Sequence, residues 1–271
     1  MNDVSLPPLN NYIAIDPAQV AAFRQNGHTL TPNLLNAEEA IIYRNIINEA
    51  AYKYNTEKRK LEERDTYGKA FLQVMNLWEL DAKVRQFVLA KRFAKIAATL
   101  LGTPNVRLYH DQALYKEPGG GITPWHQDQY YWPLDTAQAV TMWMPMMDIN
   151  EAMGMLTFAS GSHLAGFVEN VAISDQSEAL LEKFIADKQF SITRASTMQA
   201  GDATWHYGWT LHNAAGNNAP VTREVMTIIY FADGATVTEP QNTHQEADRQ
   251  RWLSGLAPGA VAASALNPRL L

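Results

Sequence analysis

Cysteine is absent from all 271 residues, which excludes disulfides and thiolate metal ligands. A reducing cytoplasm is the simplest home for such a chain. Long apolar runs are missing too: no stretch approaches the roughly 20 residues of a membrane span. Met1 to Pro8 carries neither a basic leader nor a sustained apolar core, so no signal peptide is expected. Charge is sparse, with Asp, Glu, Lys and Arg at 18%, a net charge of −6 and the basic residues dispersed, which gives no footprint for nucleic acid. With 46% hydrophobic residues there is too little charge for disorder and enough apolar material for a large core. No internal repeat, low-complexity tract or long polar linker divides the chain, and single β-barrels and jelly rolls reach this length.

Helix signals come first along the chain. Asp16-Pro17 resembles a cap and first helical residue for a short helix ending near Gly27, and Asn36 caps a second helix reaching about Tyr54. Asn55 to Thr66 is polar and reads as a mobile connection or frayed helix end. A further helix is predicted from about Asp81 to Leu101, stopped by Gly102. Its Lys83, Arg85, Lys91, Arg92 and Lys95 are expected on a solvated face, opposite Val84, Phe87, Val88, Phe93, Ile96 and Leu100. A phosphate or acyl-CoA contact at that cluster is the less favoured reading.

After Pro104 the pattern turns to short strand-like segments separated by Gly, Pro, Asn and Asp. They are Val106 to Lys116, Trp125 to Gln129, Ala139 to Asp148, Met155 to Phe158, Ser191 to Thr193, Ala203 to Tyr207 and Glu224 to Ala232. Helices followed by many strands predict an α+β, mainly β architecture in one domain. Residues 1–103 form its mainly helical part and 104–235 its β core, with an insertion at about 164–190 and an extension at 236–271. A helix or lid-like element is expected over Ser177 to Asp187, and substrate selectivity is expected there and in the loops near the metal.

Chemistry concentrates in four residues. Residues two apart on a strand point the same way, so His126 and Asp128 in Trp125-His126-Gln127-Asp128 can reach one metal, with His212 as a third ligand. Two imidazoles and one carboxylate on one face of an ion leave the opposite face open, the arrangement of non-haem Fe(II) oxygenases. The imidazoles must be neutral at the bound nitrogen and Asp128 ionised, so iron affinity falls in acid. Arg223 opens the apolar run ending at Phe231, and its planar fork suits a carboxylate. Taken alone, it reads better as a salt bridge at a barrel rim.

The stretches Leu114 to Gly121, Trp125 to Asp128, Gly161-Ser162-His163, and Gly201-Asp202 through His206 and His212 to Arg223 together closely resemble the phytanoyl-CoA dioxygenase family. The resemblance runs from Phe23-Arg24-Gln25-Asn26-Gly27-His28 to Pro258-Gly259 and Leu266-Asn267-Pro268. It implies a double-stranded β-helix, a cupin-like jelly roll with the N-terminal helices packed on it. It also implies an Fe(II)- and 2-oxoglutarate-dependent dioxygenase that uses O2 to hydroxylate an unactivated C–H bond, releasing succinate and CO2. It assigns His126, Asp128 and His212 to Fe(II), and Arg223 to the distal carboxylate of 2-oxoglutarate. Retention of the Asp128 carboxylate argues for hydroxylation over halogenation.

The resemblance extends to further positions. Trp143 stands where the family often has an aromatic residue beside the cosubstrate, with core packing the equal alternative. Lys116 is placed to meet a carboxylate, or is a surface ammonium. Gln73 and Asn76 reach the pocket from a strand or satisfy backbone groups. At Ala214 the family frequently has serine, so a hydroxyl contact to 2-oxoglutarate must come from Thr141 or water. His163 is expected to order its turn and His206 to satisfy a buried hydrogen bond, while His28, His110 and His244 have no support as ligands.

The expected partner is a small molecule. Trp125, Tyr130, Tyr131, Trp132, Trp205, Tyr207 and Trp209 flank the ligand positions; about half are expected to fill the core. The others would wall in a hydrophobic natural product or surround a quaternary ammonium group through cation–π attraction, and the resemblance adds a compact zwitterionic metabolite as a candidate. Acyl-CoA is less attractive for an acidic chain. A non-catalytic jelly roll that binds a metal or small molecule is the alternative function.

Overall fold

A computed structural model describes residues 6–271; the first five residues of the stretch read for a signal peptide lie outside it. Local chemistry sets the first elements. Helix α1 (Pro17–Asn26) begins where the Asp16 side chain accepts from Ala18 N–H and ends at Gly27, whose φ of 82° suits glycine. Strand β1 (His28–Thr31) follows. Helix α2 (Ala37–Tyr54) starts with a reciprocal pair, Asn36 accepting from Glu39 N–H and Glu39 accepting from Asn36 N–H.

The polar connection is more ordered than its composition predicts. It holds a 3-10 turn at Leu61–Glu63, and Arg64 within it is buried in an ion pair with Glu117. Helix α3 (Thr66–Ala70) and strand β2 (Leu72–Met75) come next. The single helix expected over Asp81 to Leu101 is instead divided. After α4 (Leu77–Leu80), α5 (Ala82–Val88) and α6 (Lys91–Leu101) are separated by Leu89 and Ala90, with Ala90 extended. The break corrects the expectation of an all-solvated basic face. It turns Arg92 inward, where its guanidinium binds Glu39 at 2.8 Å, the Leu34 carbonyl and Asn11.

The β core is two facing sheets whose pairings are all antiparallel. Its strands are β3 (Val106–Lys116), β4 (Thr123–His126), β5 (Ala139–Pro145), β6 (Ile149–Asn150) and β7 (Leu156–Ser160). Helix α7 (Asp175–Lys188) interrupts them before β8 (Ser191–Arg194), β9 (Thr197–Met198), β10 (Ala203–Tyr207), β11 (His212–Ala214) and β12 (Arg223–Ala232). Helix α8 (Thr243–Trp252) was not anticipated. The larger sheet runs β1-β10-β5-β12-β3-β2 and the smaller β4-β11-β7-β8, with β6-β9 apart.

Strand alternation makes the larger sheet two-faced. Met226, Ile228 and Tyr230 of β12, with Val140, Met142 and Met144 of β5, join the core under the helices beside Tyr43, Phe87, Phe93 and Ile96. The intervening residues, Arg223, Thr227 and Ile229 with Thr141 and Trp143, face a cavity between the sheets. A register shift in the β12–β3 pairing between Ile228 and Tyr230 leaves Tyr109 and His110 opposite one residue. This bulge aims both rings away from the N-terminal helices and toward α8.

Candidate metal centre and cosubstrate cavity

Strand pairing creates the centre. His212 of β11 is the register partner of His126 of β4, so the two rings, far apart in sequence, stand 4.1 Å centroid to centroid. Each Nδ1 donates to a carbonyl two residues back, Pro124 for His126 at 2.7 Å and Thr210 for His212 at 2.9 Å. Those bonds place the proton on Nδ1 and leave each Nε2 as a free lone pair.

Asp128 does not continue the strand as expected. β4 stops at His126, and Asp128 opens a 3-10 turn fixed by Tyr130 N–H to Gln127 O and Gln129 N–H to Gly208 O. The turn brings the carboxylate back over both imidazoles, with Oδ1 3.5 Å from His126 Nε2 and 3.6 Å from His212 Nε2. Its other oxygen, Oδ2, accepts from Thr141 Oγ1 at 2.8 Å and from His206 Nε2 at 3.1 Å. Two donors on Oδ2 therefore turn Oδ1 toward the histidines. One ligand atom from each of the three residues lies within 4.8 Å of the others.

Electrostatics suit a divalent cation. Burial works against the Asp128 charge, but His212, His126 and His206 together pull its carboxyl well below the usual range. Burial, then His126 and His206, hold His212 well below its ordinary value, so it enters neutral. The donor set of two neutral imidazole nitrogens and one carboxylate oxygen fits Fe(II) and leaves the cavity side open.

The same cavity is lined by Arg223, 2% exposed. The rim salt bridge considered for it is not formed with any described residue. Its Nη1 donates to the Gly154 carbonyl, its Nε has no partner, and Trp143 lies under the guanidinium at 5.3 Å. Burial lowers its pKa to about 9, which is the cost of a guanidinium held without a counter-ion. A buried cation with an orphaned N–H, facing a metal-ligand triad, is a fit for a carboxylate of 2-oxoglutarate.

This arrangement has counterparts. The model of the phytanoyl-CoA dioxygenase (PhyH) family matches residues 23–225.

The chain belongs to the phytanoyl-CoA dioxygenase family.

A probable alpha-ketoglutarate-dependent hypophosphite dioxygenase from Stutzerimonas stutzeri is 26% identical over 135 residues, 48% of this chain and 47% of that protein. The alignment thus spans about half of that curated relative. Among solved structures, the non-heme alpha-ketoglutarate-dependent carbocyclase SnoK from nogalamycin biosynthesis is similar with a TM-score of 0.78, at 23% identity over 95% of this chain and 97% of that one. The epimerase SnoN from the same biosynthesis, in complex with Fe3+, alpha-ketoglutarate and nogalamycin RO, gives 0.76 at 23% identity over 94% and 100%. EctD from S. alaskensis, with 2-oxoglutarate and 5-hydroxyectoine, gives 0.70 at 19% identity over 95% and 91%. At these identities the structures establish the shared jelly-roll fold.

Within this family frame the remaining candidates divide. Trp143 and Gln73 line the cavity, and Gln73 donates to Gln112 Oε1 at 2.7 Å. Asn76 does not reach it; buried at the start of α4, its side chain donates to Glu79. Thr141 lines the cavity but commits its hydroxyl to Asp128. Lys116 pairs in register with Arg223 and points behind the cavity wall to the Gly121 carbonyl at 2.5 Å and Thr123 Oγ1 at 3.3 Å. Burial, with Arg223 adding repulsion, lowers its pKa to about 6.

His28 stacks on Phe158 and bonds Ser160, and His163 stacks on Tyr207, so neither joins the triad. Of the seven flanking aromatics only Tyr131 and Trp132 line the cavity; Trp205 is buried under the helices. The insertion contributes Ala172 and Ile173 alone, while α7 packs on β4 through Glu178, which accepts from Trp125 N–H at 2.6 Å. Residues missed by sequence reading are His244, Ala247, Asp248, Arg251 and Trp252 of α8, which complete the far wall. Only a helical stretch after the last strand marked them, without any motif.

Proposed function

We propose that the protein is an Fe(II)- and 2-oxoglutarate-dependent dioxygenase that hydroxylates an unactivated C–H bond of a compact small molecule, releasing succinate and CO2. The observation that carries this reading is the shared cavity of about 510 Å³, with the His126, Asp128 and His212 ligand atoms converging in it and the Arg223 guanidinium, without a counter-ion among the described residues and with its Nε unpaired, on its wall. His126, Asp128 and His212 hold the iron. When bound, the iron and 2-oxoglutarate supply the activation of O2.

The chain's own groups do the positioning. Thr141 and His206 keep Oδ1 of Asp128 on the metal side. Arg223 takes the distal carboxylate bidentately, and Trp143 packs beside it. Gln73 and Gln112 offer amide groups to the substrate side, and the surrounding rings exclude water. Since cosubstrate and substrate share one cavity of ordinary ligand size, a long acyl-CoA chain is a poor fit.

Anaerobic addition of Fe(II) and 2-oxoglutarate to the apo-protein tests the reading through the visible metal-to-ligand charge-transfer band. The band is expected in the wild type, absent in His212→Ala and weakened in Arg223→Ala. A folded, iron-loaded wild type with no band would move the alternative, a non-catalytic binding protein, to first place.

A further inference from the structure

The substrate end of the cavity is built by a helix outside the span matched to the family. Helix α8 lies beyond residue 225 and lines the cavity with His244, Ala247, Asp248, Arg251 and Trp252. Opposite it stand the bulged residues of β3. Tyr109 donates its hydroxyl to Asp248 Oδ2 at 2.9 Å, and the His110 ring lies 5.2 Å from that of Trp252. The Trp252 side chain adds a second hydrogen bond to this carboxylate, and Asp248 forms no salt bridge among the described residues.

Nothing deep in this lobe supplies a fixed positive charge from the protein. Burial drives the His110 pKa down to about 3, so it stays neutral. Arg251 is exposed, with its guanidinium 4.2 Å over the Trp252 ring. Asp65, also on the cavity wall, has the same sign as Asp248. Burial pushes the Asp248 carboxyl up to about 7, against the hydrogen bond from Tyr109, the attraction of Arg251 and the hydrogen bond from Trp252. A half-buried carboxylate with no salt bridge and only an exposed arginine near it is costly, and Tyr109 would be equally well served by a neutral amide acceptor. The rings of Tyr131, Trp132 and Trp252 share this lobe, and aromatic faces attract cations.

We propose that Asp248 anchors a cationic nitrogen of the substrate, an ammonium or amidinium, among the rings of Tyr131, Trp132 and Trp252, making α8 the selectivity wall of the cavity. Calling that molecule the substrate rests on the dioxygenase reading; the site itself does not. The reacting carbon then lies between this anchor and the metal, so the nitrogen fixes which C–H bond faces the iron.

Calorimetric titration of the anaerobic protein loaded with Fe(II) and 2-oxoglutarate tests this, using cations paired with neutral isosteres: choline with 3,3-dimethylbutan-1-ol, and benzamidine with benzamide. At least one cation is expected to bind about tenfold more tightly than its isostere, as a desolvated cation–π and charge-paired contact gives. Asp248→Asn keeps the acceptor for Tyr109 and should abolish the preference while leaving the visible iron band intact. Should that variant fail to fold, Arg251→Gln carries the test by tightening the cation several-fold. The proposal is overturned by no preference, by no binding from either cation, by a preference surviving in Asp248→Asn, or by no gain in Arg251→Gln. Absence of the iron band in wild type would sink the dioxygenase reading instead, and the same titration of metal-free protein would still report on Asp248.

Discussion

Thr141 shows how much of the centre depends on residues that never touch the metal. Its hydroxyl and His206 Nε2 occupy one oxygen of Asp128, so the other is presented to the imidazoles. Thr141→Val is expected to weaken Fe(II) affinity by roughly 10- to 100-fold, the usual cost of losing an outer-shell partner, measured by competition with a chelator. Arg223 should separate cosubstrate from metal. Arg223→Ala removes a desolvated charge partner for about 3 kcal/mol, on the order of 100-fold in the apparent Kd for 2-oxoglutarate, with Fe(II) affinity retained. Gly154 supports that clamp: its φ is 78°, and an added Cβ would come within 2.3 Å of the Ala215 carbonyl oxygen and 3.1 Å of Lys116 Cδ. Gly154→Ala should therefore raise the 2-oxoglutarate requirement and lower Tm together.

At the scale of elements, the packing of α6 against α2 within the helical layer is pinned by buried charge. Arg92 of α6 reaches Glu39 of α2 with two contacts of 2.8 Å, and both side chains are nearly inaccessible. Arg92→Met leaves Glu39 buried and unpaired, with an expected loss of roughly 3 to 5 kcal/mol by denaturant unfolding. The same pair sets an acid limit. The hydrogen bond from Arg92 holds the Glu39 carboxyl below its ordinary 4.5, so folding releases a proton that the unfolded chain binds. Its contribution is full above about pH 4.5 and is lost as pH falls through the lower folded value; Glu39→Gln should flatten that part of the stability profile. None of this was legible in the spacing of Lys83 to Lys95, because the direction of Arg92 depends on the break at Ala90. Helix α2 and the stop at Gly102 were legible, since their capping residues act within a few positions.

At the scale of the molecule, the helices and the jelly roll share one core. Met226, Ile228, Tyr230 and Met142 on the sheet meet Tyr43, Phe87, Phe93 and Ile96 from the helices. A chain beginning at residue 104 would expose that whole face, at roughly 1.5 to 3 kcal/mol for each large side chain. It is expected to be insoluble or to lack near-ultraviolet circular dichroism, whereas an independently folded β core would keep both solubility and signal. The metal is not part of this core. Chelation should leave the protein folded, while Fe(II) with 2-oxoglutarate at 100 times Kd adds about 2.7 kcal/mol through linkage, visible as a raised Tm.

The sequence by itself determined the ligand chemistry, since with no cysteine a two-histidine, one-carboxylate set was spelled out by residue type and order. It determined most strands and the capped helices as well, because periodicity and capping are local. What only the tertiary structure decided depends on contacts between distant segments. The β4–β11 register brings His126 beside His212, and the turn after β4 swings Asp128 over them. The bulge at Tyr109 and His110 and the docking of α8 place Asp248 in the cavity, although no residue near it in sequence hints at a site. A side chain's identity is written in the chain, whereas its direction is set by the partner that fills the other side.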